Sequence, residues 1–423
     1  MPSVKWKGFA STTKLAKAKA VLMERAKYNR VEEVISVEEG HRRMLAEDII
    51  SPSDLPGFRR SAMDGYAVLA SNTFGASGTS PKILKLVGVS SIGESQIKKI
   101  HSGECMQILT GAPVPEGADA VIRVEDTDQI EADQIEIYSP IPVGKNIAEK
   151  DEDVKKGKQI FKAGHVLSFL DLSLLISMGI SEIRVIRKPR LMILSTGNEL
   201  IPASSEMKIG QVYDSNRPAL ALWAKSAGAD IIANFSCEDD PDVIMDSIAR
   251  FLPDIDLLIT TGGTSVGKKD YMEEVTSVMG EIWVHGISIR PGKPVILGCI
   301  EENTREVPIV ALPGYPLAAF LNFENFVLPL LEKWTGFLIE NRYINVTLDQ
   351  TIPSKPGVRD FVRLRKIGVD ERGLPLASLI RITGAGILSS IVLADYLLEV
   401  PEDVEGYPKG STVEVRILNY RRY

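Results

Sequence analysis

Long apolar runs, clustered cysteines and a basic surface are all missing from this 423-residue sequence, and each absence removes a class of function. The most apolar helix-like run, VLSFLDLSLLISMGI, carries Asp171 and is too short to span a bilayer, so no membrane role is expected. The opening MPSVKWKGFASTTKLAKAKA has basic residues but no apolar core behind them; no secretory signal is read there, and a cytoplasmic location is expected. The three cysteines, Cys105, Cys237 and Cys299, lie far apart within apolar stretches. Neither a zinc pattern nor a disulfide framework can be built from them, and they read as small buried hydrophobes in a reducing compartment. His41, His101, His165 and His285 are equally scattered, which argues against a histidine metal site. A net charge of −7 argues against nonspecific nucleic-acid binding, although local basic clusters remain open to it.

What is present is ordinary for a soluble globular chain, with 44% hydrophobic and 25% charged residues. The length exceeds one core, so two to four domains are expected. Residues 12–28 read as an amphipathic helix capped at Thr12 or Thr13, with Leu15, Ala18, Leu22 and Ala26 on one face. A second helix is predicted in SVEEGHRRMLAEDI, where Ser36 and Glu39 make a capping box. Between about 51 and 145, Gly and Pro punctuate short β-prone runs such as KILKLVGV, CMQILTG, DAVIRVED and QIEIYSP. Helical character returns in SFLDLSLLISM, with Ser168 as cap and Gly179 beyond the end. The expectation is a small β domain (51–145) inserted into a helical platform (1–50 and 146–187).

Residues 188–335 alternate strands and helices: RLMILST, RPALALWAKSAG, DIIANFSC, DPDVIMDSIARFL, IDLLITT, DYMEEVTSVMG, PVILGCI, VPIVALPG, then a helix from Pro316 to about Trp334. Repeated βα units imply a largely parallel, doubly wound sheet, whose ligands bind beyond the carboxyl ends of the strands. Residues 341–423 read as β-rich again and predict a barrel or sandwich. The fold class is therefore multidomain α/β plus β.

The strand-end loops of the α/β domain carry its polar residues. TGNEL brings Glu199, CEDDPD brings Asp239 and Asp240, and the loop in ITTGGTSVGKKDY ends at Asp270. Carboxylates gathered in one crevice repel unless a hard cation sits among them, and magnesium with a substrate phosphate is the natural occupant. Backbone N–H groups of the glycine-rich turns would hold phosphate oxygens, and Arg290 and Lys293 around Pro-Gly could hold an anion. Plainer readings stand beside these. Asp240 and Asp270 can simply cap the helices that follow, and His285 reads as structural. Gly262, Gly267 and Lys268 imitate a Walker A loop, but Lys269 occupies the place of the magnesium-binding Ser or Thr. In the amino-terminal half FRRSAMDGYAV, LTGAPVPEGADAV and VGKNIAEKDEDV read by composition as solvated loops.

SAMDGYAV and LTGAPVPEGADAV, followed in order by STGNEL, GQVYDSNR, TTGGTSVGKKDY, IRPGKP and LPGYP, closely resemble the molybdopterin molybdenumtransferases. These are the bacterial, archaeal and plant enzymes related to the E domain of gephyrin. The resemblance runs from about residue 12 to about residue 400. It implies a homodimer of four-part subunits, with a central domain of molybdopterin-binding fold. The implied reaction inserts molybdate, with tungstate as an equivalent oxyanion, into adenylylated molybdopterin with Mg2+, releasing AMP. It implies contact with the adenylyltransferase of the preceding step, and no nucleic-acid or membrane partner.

Transferred residue by residue, the implied catalytic positions are Asp64, Glu199, Asp239 and Asp270, with Glu199 and Asp270 as metal ligands. The implied substrate-binding positions are Thr110, Asp153, Gly262, Gly263, Ser265, Arg290 and Lys293. On this resemblance the GGTSVG loop is intact, and not a Walker A loop that lost its hydroxyl. Asn198 departs from the Asp found in many members, and ITGAGILSSIVLADYLLEVPE keeps only the outline of the family's serine-rich segment. The alternatives are a molybdopterin adenylyltransferase, which shares the α/β domain, and a non-catalytic scaffold.

Overall fold

The computed structural model describes residues 12–94, 98–264, 271–380 and 388–418. The chain divides into two compact units. One, the β unit, comprises Val34–His41 and Leu45–Arg184. The other holds the α/β domain and the carboxy-terminal barrel.

The β unit is built on a six-stranded sheet in the order Ala120–Arg123, Gly65–Val68, Glu104–Ile108, Lys82–Ser90, Gln134–Ile137, Thr127–Glu131. Both faces are covered. Tyr66, Val68, Cys105 and Ile122 pack on one side, while Ala67, Met106, Ile108 and Val121 pack on the other, the period-two alternation of a pleated strand. The helix Phe169–Ser177 forms where its sequence signals place it. Ser168 and Asp171 make a reciprocal capping box, and Gly179 follows in the left-handed region at φ 83°. The helix expected from Ser36 does not form. Only the 3-10 turn Val37–Glu39 is present, and Ser36 Oγ accepts from the N–H of Glu38. The chain turns at Gly40, where a Cβ would stand 2.8 Å from Leu172, and the amides of Leu45 and Ala46 bond the carbonyls of His165 and Arg184. Pairing across the chain has displaced the local helical pattern.

In the α/β domain six strands lie in the order Asp230–Cys237, Arg190–Thr196, Leu257–Thr261, Arg305–Leu312, Ile296–Glu302, Gly280–His285. The first four pair in parallel; Ile296–Glu302 runs antiparallel to both its neighbours. Leu191 and Ile193 join the core beneath the helices Asn216–Ser226 and Pro316–Asn322. Met192 and Leu194 join the opposite core, beneath Pro241–Phe251 and Tyr271–Met279. The adjacent strands ending at Thr196 and Thr261 therefore send their following helices to opposite faces, which makes a switch point between them. The first helix, Leu15–Arg25, packs its Leu15, Ala18 and Leu22 into this α/β core; in the β unit, which holds most of the expected platform, the one described α-helix is Phe169–Ser177. Neither expected threonine caps it: Thr12 Oγ1 bonds Ser288 Oγ and the Thr13 N–H bonds the Gly286 carbonyl. The final helix is relaxed by a π turn at Phe323–Val327 and stops at Gly336, φ 69°.

The carboxy-terminal domain resolves to a barrel. Arg359–Val369, Pro375–Leu379, Tyr343–Leu348, Thr412–Ile417 and Tyr396–Val400 pair in turn, and the last pairs back to the first. Ile289–Arg290 joins its rim in parallel with Arg359–Asp360. No described helix is long and apolar enough to cross a membrane.

Candidate functional site

The switch point brings three loops into contact. Gly262 follows Thr261 with φ 97°, and a Cβ there would lie 2.2 Å from the Thr196 carbonyl. Gly263, at φ 66°, would set a Cβ 2.9 Å from Thr196 Oγ1. The Gly262 N–H bonds the Leu312 carbonyl at 3.2 Å. The Gly262 amide is therefore engaged within the fold, where a phosphate contact was expected of it. Thr264 Oγ1 also reaches the Leu312 carbonyl, at 3.4 Å. Ser265 and Asp270 lie outside the described residues.

Glu199 is exposed in the loop after Thr196. Its carboxylate folds over Gly197, where a Cβ would stand 2.9 and 3.0 Å from the two oxygens. Among the described residues no hydrogen bond or ion pair holds that carboxylate. Beside it Asn198 Oδ1 accepts the N–H of Asp239 at 3.1 Å and ties this loop to CEDDPD. An aspartate could accept the same bond, so the departure at Asn198 removes charge without requiring a different geometry. Asp239 Oδ1 is buried without a partner among the described residues. Asp240 is the helix cap, accepting from the N–H groups of Asp242 and Val243.

These oxygens fit a hard cation in part. A buried, unpartnered carboxylate oxygen and a second unheld carboxylate are what magnesium uses when a substrate supplies the remaining oxygens. Among the described residues no group of three His, Cys, Asp or Glu side chains converges.

One residue of this crevice was not singled out from the sequence. Asn216, 8% exposed, donates from Nδ2 to the Gly314 carbonyl at 2.7 Å and to Thr261 Oγ1 at 3.3 Å. Its signal was present in GQVYDSNR, as an asparagine opening an otherwise apolar helix. Among the described residues Thr196 Oγ1 and Asn216 Oδ1 are buried without partners.

Arg290 lies at the barrel rim. Its guanidinium is ion-paired with Asp360, which is 2% exposed and also accepts from Ser354 Oγ at 2.6 Å. Sequence reasoning missed Asp360, because only the barrel register brings it to Arg290. Lys293 is exposed, and its carbonyl accepts the Ile287 N–H.

The β unit joins Asp64 to Thr110. Gly65 pairs opposite Ile108, so the residue before one strand meets the residue just past its neighbour. Asp64 Oδ1 accepts the Thr110 N–H at 2.6 Å and its hydroxyl at 2.8 Å. Those two bonds, the backbone one first, hold the exposed Asp64 carboxyl below the ordinary carboxylate range. Asp153 is exposed; its N–H bonds the Leu55 carbonyl, and no described hydrogen bond joins it to the Asp64–Thr110 pair.

Comparison with known proteins covers nearly the whole chain. Residues 13–179 match the family described as the MoeA N-terminal region (domain I and II). Residues 192–333 match a probable molybdopterin binding domain, and 345–418 the MoeA C-terminal region (domain IV). The molybdopterin molybdenumtransferase of Haemophilus influenzae is 30% identical over 409 residues, 96% of this chain and 98% of that protein. Molybdopterin molybdenumtransferase 2 of Mycobacterium tuberculosis is 31% identical over 382 residues, 88% of this chain and 91% of that one. The crystal structure of a molybdopterin biosynthesis MoeA protein from Pyrococcus horikoshii is 36% identical, with TM-score 0.81 over 96% of this chain and 99% of that chain.

Proposed function

Because the chain belongs to the MoeA family of molybdopterin molybdenumtransferases, we propose that it is a transferase of molybdenum cofactor biosynthesis, inserting molybdate into adenylylated molybdopterin and releasing AMP. What supports this most is the whole-chain likeness to proteins bearing that name, joined to an oxygen-lined crevice at the switch point of the α/β sheet. The three free cysteines fit a reducing cytoplasm. Function as a homodimer, receiving substrate from the preceding adenylyltransferase, belongs to the same proposal.

The roles follow from the chemistry of each group. The Gly263 N–H would be the turn's donor to a phosphate, while Gly262 keeps the backbone close against Thr196. Glu199 and Asp270 would hold Mg2+, with Asp239 beside them; the ion would supply Lewis acidity and neutralise phosphoanhydride charge. Ser265 and the cations Arg290 and Lys293 would attract the anionic parts of the substrate, Arg290 through the donors that Asp360 leaves free. In the β unit, Asp64, Thr110 and Asp153 are the proposed functional residues, Asp64 held by Thr110. No protein nucleophile is required: the dithiolene sulfurs displace two oxygens of the oxyanion, one leaving as water, while the other, or an equivalent water, supplies the oxygen that cleaves the phosphoanhydride to AMP.

A single-turnover assay tests this reading. Purified protein with adenylylated molybdopterin and Mg2+ should release AMP when molybdate or tungstate is added, and the metal should remain on the pterin. ATP-dependent adenylylation of free pterin, with no oxyanion-dependent AMP release, would place the protein one step earlier.

A further inference from the structure

We propose that Asn216 is a positioning residue, which holds the Gly262–Gly263 turn and the Pro313–Gly314 loop in the geometry that binds the pyrophosphate part of the substrate. The inference rests on the reading of the crevice given above and extends it to a residue that touches neither metal nor substrate.

The side chain emerges from an anchored backbone. The Asp214 N–H bonds the Ile201 carbonyl at 3.1 Å. Arg217 Nε donates to Asp214 Oδ2 at 2.6 Å, and its Nη1 reaches the carbonyl and Oδ1 of Asn234 on the edge strand. From that fixed point the Asn216 amide reaches two loops at once. One acceptor, Thr261 Oγ1, belongs to the residue directly before Gly262. The other, the Gly314 carbonyl, belongs to a residue whose Cβ would stand 3.5 Å from Gly262 Cα. Both bonds therefore act on the same turn from two sides.

Filling space does not explain the residue. Its Oδ1 is buried without a partner among the described residues, so the site keeps the amide for its donor and tolerates an unmet acceptor. The donor is what the position needs. Misplacing a substrate-holding group by about 1 Å can cost about a hundredfold in function.

The test uses the full-length protein, with inorganic pyrophosphate and AMP as calorimetric probes and thermal melting in parallel. Asn216→Asp keeps the shape but turns an oxygen toward the Gly314 carbonyl, and Asn216→Ala removes both bonds. Each is expected to weaken pyrophosphate binding about tenfold to a hundredfold. Thr261→Val removes one acceptor and should weaken it about threefold. The control is Asn325→Ala, which deletes a buried amide bonded to the Leu321 carbonyl at 2.7 Å within the last helix; its melting point should fall while affinity stays unchanged. Asn216 variants that melt early like the control yet bind pyrophosphate with wild-type affinity would make the residue merely structural and overturn the proposal. If neither Asn216 variant folds, Thr261→Val decides alone, and unaltered affinity overturns it. Wild-type protein that binds neither probe would instead sink the functional reading, and this proposal with it.

Discussion

The crevice of the α/β sheet and the Asp64–Thr110 pair of the β unit hold their polar groups in opposite ways. At the switch point the groups are buried and partly unpaired: among the described residues Thr196 Oγ1, Asn216 Oδ1 and Asp239 Oδ1 have no partner. The β unit pairs an exposed carboxylate with both donors of one threonine, so Asp64 is satisfied locally. Folding alone favours the second arrangement, since a buried unpaired acceptor costs about 1–3 kcal/mol. Unmet acceptors where topology directs ligands are what the proposed site would offer a substrate or its cation.

That contrast can be broken or sharpened by substitution. The largest effect is expected at Gly262→Ala, which adds a Cβ 2.2 Å from the Thr196 carbonyl at a φ of 97°. Denaturant unfolding should show a loss of about 3 kcal/mol, with pyrophosphate binding abolished. Next come Glu199→Gln and Asp270→Asn. Single-turnover AMP release should fall by about a hundredfold or more in each, with pterin binding largely retained. Unaltered turnover in either would remove that residue from the mechanism.

Asp64→Asn should be gentler on the fold. The amide oxygen can still accept from Thr110, so the unfolding midpoint should stay close to wild type while AMP release drops. A stability loss as large as that of Gly262→Ala would erase the contrast. The smallest effect concerns pH. Asp64 has a depressed folded pKa. Its stabilising contribution is present above the unfolded aspartate value and is lost as pH falls through the lower folded one. Carboxyl-carbon NMR should show the low midpoint, and Thr110→Val should raise it part of the way, because the backbone N–H bond remains.

Much of this architecture was legible in the sequence, and the failures have physical causes. The parallel strands announced themselves because both their faces are buried, and Asp240 with Pro241 marked a helix start that the structure keeps. The strand Gly280–His285 went unread because Gly280 looked like a helix stop. It is a close-approach glycine, where a Cβ would stand 2.0 Å from the Cys299 carbonyl. The false helix after Ser36 had the local signals, but the register of distant strands decided the segment. Closure of the barrel rests on Arg359–Val369 pairing on both edges, a property no single strand displays. In the site, Glu199 and Asp239 were visible from strand ends, whereas Asn216 and Asp360 depend on which loops meet.

The most direct test of the central claim is a crystal structure of the protein with AMP, pyrophosphate and Mg2+. Pyrophosphate density is expected against the Gly263 turn, with the cation on the Glu199 carboxylate. Well-ordered ligand bound elsewhere, with the strand-end crevice holding only water, would contradict it.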